Sequence, residues 1–545
     1  MNDDSHMAPR AERVMLIGLD GATWDVLTPL AELGVMPSLA RLMSEAALGT
    51  LTSVRPCITP AAWGTLQTGV DPLTHGVLDY RYFDHERRQV LLNSTRRLAA
   101  PTLFELLAAR GESVVSLGAP VTWPARVSPP SIVVGGVDCP SIEAALAPYP
   151  RFAEALARAG ARLSLDMVWN RRPRDLSELR ANIAATRQNI QAQTIAAGVA
   201  DQQCDWRLMT VQYQVLDALQ HRAWHLLANP LVAEPHPWSR ELHQCFAELD
   251  RALGTLIELA DRRRAALVVL SDHGFGGFRE KISIRELLRR RDLLTPATRW
   301  QRLEYRAART VWKLRRGATK RLTGNSSRAL QRPLGSLAAL DWRRTRALSL
   351  HGAIAGLVYL NTPERFGRGP VDTAGRYDEA LAETLAAFRE ARHHETGEPL
   401  FVEAIATRER IDGDPCERGL PDVMAIPADG FHTRSKPDRR PRLLPADPEM
   451  AGTHRAEGVL LVRASGVRTG VGHEAHLRDI APTVLALLGL APSGMEGSSL
   501  STLWGEAPAE PVARRRPARL QQAGSGADEE SAAAEGRLRA LGYIE

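Results

Sequence analysis

Short apolar runs that end in Asp or Gly alternate along the chain with stretches of helical periodicity. Runs of this kind are typical of strands buried on both faces of a parallel sheet, with helices in the connections. The clearest runs are VMLIGLDG at 14–21, VVSLGAP at 114–120, LMTVQYQVLD at 208–217 and LVVLSDHG at 267–274. The pattern predicts an α/β fold whose doubly wound, mostly parallel sheet is flanked by helices and binds ligands beyond the carboxyl ends of its strands.

Two segments interrupt this alternation. Residues 140–205 have a polar, Arg-rich helical pattern, and in residues 285–344 Arg and Lys interleave with Trp300, Tyr305 and Trp312. We predict helical cap insertions at both places. The expected organisation is a flexible N-terminus at 1–11, a first part of the core at 12–284, the basic cap at 285–344, a second part of the core at 345–504 and a mostly flexible tail at 505–545.

Composition places the chain among large globular proteins. It has 545 residues, of which 44% are hydrophobic and 24% charged, and a net charge of +6 is too small for this length to imply general nucleic-acid binding. Its five cysteines are scattered and form no CxxC pair, which argues against a disulfide framework and favours a reducing compartment. Because no apolar run approaches the ~18 residues of a membrane span, we expect a cytoplasmic protein without a transmembrane segment.

Carboxylates and imidazoles follow the predicted strands. Asp20 ends the first run, and Asp272 and His273 end the fourth, so that oxygen and nitrogen ligands suited to zinc or manganese would meet at one edge of the sheet. Asp217 and His221 lie four residues apart and would share one helix face, as a clamp on a metal requires. Structural roles remain open for the same residues, namely a helix cap for Asp20 and a surface ion pair for Asp217 and His221.

A hydroxyl residue, Thr59, precedes another predicted helix in CITPAAWGTLQTG. Its simplest role is an N-cap, with Pro60 at the first helical position. A hydroxyl at a helix N-terminus also faces exposed N–H groups and positive dipole charge, and a divalent metal would lower its pKa. His454, in AGTHRAEG, lies among turn-forming residues, where it is either a ligand or a solvated loop residue.

Seven segments resemble, in order, the motif series of the type I phosphodiesterase/nucleotide pyrophosphatase family, in particular the prokaryotic branch of this part of the alkaline phosphatase superfamily. They are LIGLDGATWD, TPAAWGTLQTG, THG at 74–76, LDALQH, SDHGFGG, GTHRAEG and RDIAPTVLALLGL. The resemblance covers residues 12–500. It implies an alkaline-phosphatase-like fold and a two-metal phosphoric ester hydrolase, most simply a phosphodiesterase or nucleotide pyrophosphatase.

The resemblance also implies a role for each site residue. One metal would be surrounded by Asp20, Thr59, Asp272 and His273, and the other would be held by Asp217, His221 and His454. Thr59 would be the nucleophile and would form a covalent phosphothreonine, with two Zn²⁺ ions, or Mn²⁺, as cofactors. The expected substrate is a small-molecule phosphate ester, and no stable nucleic-acid partner is expected.

The chain departs from better-known members of the family after the THG segment. Tyr80 stands where an Asn that contacts phosphate is expected, and the neighbouring Arg81 is either a substrate-binding residue or a surface salt-bridge partner. A sulfatase is a further possibility, because the C-terminal RLRALGYIE resembles the tail of many sulfatases. Sulfatases need a CxPxR pattern, however, and here Cys57 is followed by Ile58, Thr59, Pro60 and Ala61, so that pattern fails.

Other functions remain open from the sequence. A phosphomonoesterase or a phosphotransferase could use the same two-metal core, whereas a phosphoglycerate mutase would need insertions that are not found here. An alternative of another class is a non-enzymatic scaffold, in which the basic, aromatic stretch at 285–325 binds nucleic acid or an anionic membrane surface.

Overall fold

The computed structural model of the protein describes residues 10–166, 168–227, 236–323, 339–372, 375–436, 442–506, 527–541 and 544. Its strands are β1 (Arg13–Leu19), β2 (Ala47–Thr52), β3 (Arg81–Asp84), β4 (Gln89–Leu92), β5 (Ser113–Leu117), β6 (Ile132–Val134), β7 (Trp206–Tyr213), β8 (Ala265–Leu270), β9 (Gly274–Gly277), β10 (Glu280–Ser283), β11 (Ala347–Leu348), β12 (Gly356–Leu360), β13 (Phe401–Ala406), β14 (Val423–Pro427), β15 (Phe431–Arg434), β16 (Gly452–Arg455), β17 (Glu457–Arg463) and β18 (Gly470–His476). Its α-helices are α1 (Trp24–Glu32), α2 (Pro37–Glu45), α3 (Thr59–Thr68), α4 (Pro72–His75), α5 (Leu103–Ala108), α6 (Ile142–Leu146), α7 (Pro150–Arg158), α8 (Leu176–Gln203), α9 (Val215–Leu227), α10 (Ser239–Arg262), α11 (Ile284–Arg290), α12 (Arg299–Thr323), α13 (Pro363–Phe366), α14 (Arg376–Arg389), α15 (Ile480–Leu487) and α16 (Ala527–Leu541).

The apolar runs of the sequence form the centre of an eight-stranded sheet, in the order β18-β2-β17-β8-β1-β7-β5-β6. Seven of these strands run in one direction, and β17 is antiparallel to both of its neighbours, β2 and β8. The central strand β1 is apolar along its length because both of its faces are covered, and Val14–Leu19 are buried. The predicted α/β fold with a mostly parallel sheet between helices is confirmed.

The segment predicted as an insertion at 140–205 is largely helical and contains α6, α7 and α8. Helix α8 packs along α10 and against β7. Its apolar positions Leu179, Ile183 and Ile190 are buried in the same core as the large sheet. This segment therefore contributes a layer of helices to the main core.

The part of the chain that runs from β10 to β15 forms a second, smaller core. Its centre is the antiparallel sheet β11-β12-β14-β13, against which α11 and α14 pack. Leu288, Phe366 and Phe388 are buried there. The chain returns to the large sheet with β17 and β18, and the domain boundaries drawn from the sequence at 284, 344 and 504 stay predictions.

The predicted flexible N-terminus, 1–11, and tail, 505–545, lie mostly outside the described residues. Within the tail, Leu538 of α16 and Ile544 are buried in the main core, and Arg537 Nε donates to the carbonyl of Val137 at 3.2 Å. Among the described segments, no individual helix has the length and apolar composition of a membrane span, although α1 and α2, bent by 106°, pass that test as a pair.

Candidate metal centre

Three neighbouring strands of the large sheet end beside one another and lead into the acidic residues of the site. Strand β1 leads into Asp20, β8 into Asp272, and β7 into α9, which bears Asp217. The parallel register pairs Gly18 of β1 with Leu270 of β8, so the residues that follow emerge at the same edge. All three carboxylates are buried. Burying several negative charges at one point is unfavourable unless protons or cations compensate for them.

The first group of possible ligands consists of Asp20, Asp272 and His273. His273 Nε2 lies 3.5 Å from Asp20 Oδ1 and 3.6 Å from Asp272 Oδ2. The other two carboxylate oxygens accept hydrogen bonds, from Gln212 Nε2 at 3.0 Å and from the Gly21 N–H at 3.3 Å. Asp20 Oδ1 and Asp272 Oδ2 are buried without a hydrogen-bond partner in the described part of the chain. Such oxygens are costly to bury alone and are suited to binding a cation.

Glycine at position 21 allows the sharp turn that exposes Asp20 at the strand end. Its φ is +67°, in the left-handed region that favours glycine. A Cβ at this position would lie 2.9 Å from a ring carbon of Phe275. The Asp-Gly pair of the sequence is therefore required both by the backbone conformation and by the close approach of the Phe275 ring.

The second group consists of Asp217, His221 and His454, which are all buried. Helix α9 places Asp217 and His221 on one face, with Asp217 Oδ2 3.5 Å from His221 Nε2. His454, on β16, brings its Nε2 within 3.0 Å of Asp217 Oδ1 and 3.1 Å of His221 Nε2. In each of the two groups, the ligand atoms all lie within 4.8 Å of one another.

Backbone carbonyls orient all three imidazoles of the two groups. His221 Nδ1 lies 3.0 Å from the Gly452 carbonyl, His454 Nδ1 lies 2.7 Å from the Cys57 carbonyl, and His273 Nδ1 lies 3.1 Å from the carbonyl of Gly274. If each Nδ1 donates its proton to the carbonyl, each Nε2 presents a lone pair, which is the arrangement of histidine metal ligands. The facing Nε2 atoms of His221 and His454 would then repel each other unless a cation bound both.

The two groups adjoin each other. The rings of His273 and His454 stack with centroids 3.7 Å apart and an interplanar angle of 18°. His273 Nε2 also lies 3.9 Å from Asp217 Oδ1. His273 of the first group therefore contacts both His454 and Asp217 of the second group. The six side chains therefore form one buried cluster, which could bind two cations side by side.

Thr59 lies at the edge of this cluster, where its hydroxyl is 3.5 Å from His273 Nε2. The N-cap prediction for Thr59 is wrong: the N-cap is Ile58, in extended conformation, and α3 begins at Thr59 with Pro60 second. The side chain of Ile58 makes no capping hydrogen bond. The Thr59 hydroxyl instead lies on the side of His273 and close enough to Tyr80 to lower the pKa of that phenol, against the larger effect of burial. It is therefore directed towards the ligand groups and does not cap the helix.

Electrostatics within the cluster are strongly perturbed. Burial, followed by the neighbouring carboxylates, raises the pKa of Asp20 well above its ordinary value and the pKa of Asp272 to about 7. Burial also opposes ionisation of Asp217, but the imidazoles of His221 and His454 outweigh it and hold the pKa of Asp217 below its ordinary range. The pKa of His454 is raised despite burial because of Asp217, whereas burial lowers the pKa of His221 to about 4. Cations at this site would compete with protons for Asp20 and Asp272.

Two residues near the cluster, Gln212 and His432, were not singled out from the sequence. Gln212, which fixes Asp20, is a polar residue within the apolar run of β7, and this contrast could have revealed it. His432, on β15, lies with its ring centroid 5.9 Å from that of His221, and its Nε2 is buried without a partner among the described residues. His432 follows no recognisable motif, and the packing of the smaller core brings it to the site.

The segment that carries Tyr80 is fixed by the smaller core. The Tyr80 N–H donates to Asp79 Oδ1 at 2.7 Å, and Asp79 Oδ2 lies 3.0 Å from His351 Nδ1. His351 Nε2 lies 2.8 Å from the hydroxyl of Tyr359 on β12. Burial lowers the pKa of His351 and Asp79 opposes this effect, while the charge of Arg81, which begins β3, adds a smaller lowering. A contact between Arg81 and a substrate stays a prediction.

Fold and site together define a class. A mostly parallel α/β sheet brings two adjoining Asp and His groups to the carboxyl ends of its strands, as a metal-dependent hydrolase with two cations requires. The family model of type I phosphodiesterase / nucleotide pyrophosphatase matches residues 14–456, and the chain belongs to this family. It is therefore an enzyme, a phosphoester hydrolase of the phosphodiesterase or pyrophosphatase type, and the non-enzymatic scaffold is not retained. No curated protein sequence matches the chain significantly.

Solved structures share the fold at low sequence identity. An inactive variant of murine ectonucleotide pyrophosphatase/phosphodiesterase 5, in complex with AMP, has a TM-score of 0.50 and 13% identity, over 90% of this chain and 99% of that one. Phosphonoacetate hydrolase from Sinorhizobium meliloti 1021, in complex with phosphonoformate, has a TM-score of 0.51 and 15% identity, over 89% and 97% of the two chains. These similarities support the fold.

Proposed function

We propose that this enzyme hydrolyses phosphodiesters or the pyrophosphate bond of nucleotides through a covalent intermediate on Thr59. The observation that carries the proposal is the position of the buried Thr59 hydroxyl, 3.5 Å from His273 Nε2 and beside two adjoining groups of metal-binding side chains. Lewis-acid cations that lie beside a hydroxyl lower its pKa, and this activates the hydroxyl as a nucleophile at neutral pH. Because the murine neighbour binds AMP, nucleotides are the first substrates to test.

The donor set fits two divalent cations, and we propose Zn²⁺ or Mn²⁺. Asp20, Asp272, His273 and Thr59 would hold one ion, and Asp217, His221 and His454 would hold the other. Imidazole nitrogens with carboxylate oxygens suit these metals better than Ca²⁺ or Mg²⁺, which prefer oxygen alone. When bound, the ions supply positive charge that stabilises phosphoryl oxygens and lowers the pKa of the attacking hydroxyl.

The residues of the chain contribute position and hydrogen bonds to the reaction. Thr59 begins α3, whose first N–H groups have no partner within the helix and favour a phosphoryl group in front of them. Tyr80 keeps its proton, because burial and then Asp20 raise its pKa well above the ordinary value. Its hydroxyl can therefore donate to the Thr59 oxygen or to a phosphoryl oxygen, in the place of the Asn of better-known family members.

The proposed reaction has two steps, formation of the intermediate on Thr59 and its hydrolysis. In the first, the Thr59 oxygen bonds to phosphorus while the bond to the leaving alcohol or phosphate breaks, and the proton of Thr59 passes to solvent. In the second, a water oxygen bonds to phosphorus, the bond to Thr59 breaks, and Thr59 regains a proton. With a diester substrate, the intermediate keeps the remaining ester group. Two in-line displacements retain the configuration at phosphorus.

The proposal is tested with metal-stripped protein reloaded with Zn²⁺ or Mn²⁺ and assayed on bis-p-nitrophenyl phosphate, p-nitrophenyl phosphate and p-nitrophenyl thymidine monophosphate. Thr59→Ala should lower kcat by at least about a thousandfold, because it removes the nucleophile, and should keep most of the bound metal. Thr59→Ser restores a hydroxyl and should retain measurable turnover. Thr68→Ala is the matched control, since the Thr68 hydroxyl on the same helix donates to the Gly64 carbonyl at 2.7 Å. Full activity in Thr59→Ala would show that the nucleophile is assigned wrongly.

The same assay separates the candidate activities. Preference for the two diesters over p-nitrophenyl phosphate would identify a diesterase, and the reverse preference a monoesterase. Metal-bound protein that releases p-nitrophenol only when an alcohol acceptor is added would be a phosphotransferase. The cytoplasmic location also stays a prediction.

A further inference from the structure

Helix α12 exposes an unusual amount of apolar side chain to solvent. The described residues include seven large hydrophobic side chains that are strongly exposed, and four of them lie on this one helix. They are Trp300 (82% exposed), Leu303 (54%), Val311 (50%) and Leu314 (69%). Single exposed apolar residues are common on protein surfaces, but a contiguous set usually marks an interaction site.

These four side chains share one face of the helix. Together with Ala307, which is also exposed, they follow the spacing of three and four residues that aligns positions along an α-helix. A different face carries Tyr305 and Trp312, which are half-buried, and Tyr305 packs against the smaller core. The Tyr305 hydroxyl donates to the Leu340 carbonyl at 3.0 Å and so fixes which face of α12 is turned outwards.

A row of basic residues runs beside the apolar face. Helix α12 contains nine Arg or Lys residues and one acidic residue, Glu304. The basic row has spacings of three and four residues like the apolar row, and all its members are exposed: Arg299, Arg302, Arg306, Arg309 and Lys313. An aliphatic and aromatic row beside a cationic row is the pattern of helices that lie in the interface of an anionic membrane.

We propose that α12 binds the enzyme to the surface of an anionic lipid membrane, with the apolar row among the acyl chains and the basic row at the headgroups. The complementary charge of anionic lipids attracts each basic side chain, and insertion removes Trp300, Leu303 and Leu314 from water. A nucleic acid would use the basic row and could stack on Trp300, but it would leave Leu303 and Leu314 in water. The proposal does not depend on the reaction at Thr59.

Binding is measured by sedimentation of the full-length, metal-loaded protein with vesicles of phosphatidylcholine alone and of phosphatidylcholine with phosphatidylglycerol. We expect binding to the anionic vesicles only. Trp300→Ala with Leu314→Ala leaves the charge unchanged and should weaken binding by about tenfold or more, because insertion of the apolar row contributes to affinity. Arg306→Gln with Lys313→Gln should weaken binding to a similar degree at low salt and reduce its dependence on salt.

The matched control replaces exposed apolar residues elsewhere, Leu33→Ala with Val402→Ala, which are 48% and 61% exposed. This control should bind vesicles as the wild type does. All the variants should hydrolyse a soluble p-nitrophenyl substrate at the wild-type rate, which confirms that they are folded.

Three results would overturn the proposal. The first is the absence of binding to anionic vesicles. The second is binding that survives Trp300→Ala with Leu314→Ala but is lost with the basic pair and is displaced by a short single-stranded DNA, which would indicate a nucleic-acid site. The third is a dimer, formed without lipid, that the apolar pair of substitutions dissociates, since α12 would then bind a second copy of the chain.

Discussion

Asp272→Asn should stabilise the metal-free protein although it removes a proposed metal ligand. The Asp272 carboxyl has a pKa of about 7 in the folded protein against an ordinary value of 3.8, because burial and then Asp217 disfavour its charge. At a pH between these two pKa values, Asp272 keeps its proton in the folded protein but has lost it in the unfolded chain. The contribution of Asp272 to stability is therefore fully present below the lower value and is lost as the pH rises through the upper one.

The size of this effect follows from the shift. About three pKa units at 1.36 kcal/mol each correspond to a loss of up to about 4 kcal/mol above neutral pH. Asn resembles the protonated carboxyl and can still accept the hydrogen bond from the Gly21 N–H. The free energy of unfolding of the metal-free variant should thus equal that of the wild type in acid and exceed it by up to about 4 kcal/mol above neutral pH.

The assay is urea denaturation of metal-free and zinc-loaded protein across this pH range. Wild type and variant must be compared directly, because His221, whose pKa burial lowers to about 4, changes stability with pH in the opposite direction. The variant should also gain less stability from zinc. Asp250→Asn is the control, because the Asp250 carboxylate accepts hydrogen bonds from the N–H groups of Ser38 and Leu39. Its replacement should destabilise the fold. Destabilisation of the metal-free protein by Asp272→Asn at high pH would show that burial and the charge of Asp217 do not disfavour the ionised Asp272 carboxylate.

Further predictions concern the surroundings of the site. His454→Ala should lower both bound metal and activity. Cys57→Ser should change neither, because the carbonyl of Cys57 and not its thiol contacts His454. The measurement is metal analysis after dialysis, and loss of metal from Cys57→Ser would contradict this prediction. Tyr80→Phe should lower kcat by about tenfold to a hundredfold, since it removes one hydrogen-bond donor to the reacting groups, and an unchanged kcat would exclude that role. Gly21→Ala should lower the free energy of unfolding by more than about 1 kcal/mol, because of its positive φ and the contact with Phe275, and wild-type stability in urea would show that the turn can relax.

The carboxyl-end edge of the large sheet could be predicted from the sequence because its signals are local. An apolar run followed by Asp-Gly or Asp-His identifies a buried strand and its end, and parallel strands bring such ends together. Asp20 and Asp272 meet for this reason. The four-residue spacing of Asp217 and His221 likewise predicted a shared helix face, which α9 provides.

Other features depend on contacts between distant segments and have no local signal. Cys57 and His454 are 397 residues apart, and their contact follows from the position of β16 beside β9. The approach of His432 to His221 requires the smaller core, whose antiparallel sheet was not anticipated within 345–504. The N-cap prediction for Thr59 failed because α3 begins at Thr59 itself, with Ile58 before it, and the Thr59 hydroxyl lies beside His273 from a distant segment.

The most direct test of the central claim is acid quenching of the metal-loaded enzyme during turnover of bis-p-nitrophenyl phosphate, followed by mass spectrometry of its peptides. We predict that the peptide containing Thr59 gains one nitrophenyl phosphoryl group, that the modification maps to Thr59, and that it is absent from Thr59→Ala. Continued turnover with no modified peptide at any quench time, or the same modification on another residue, would contradict the account.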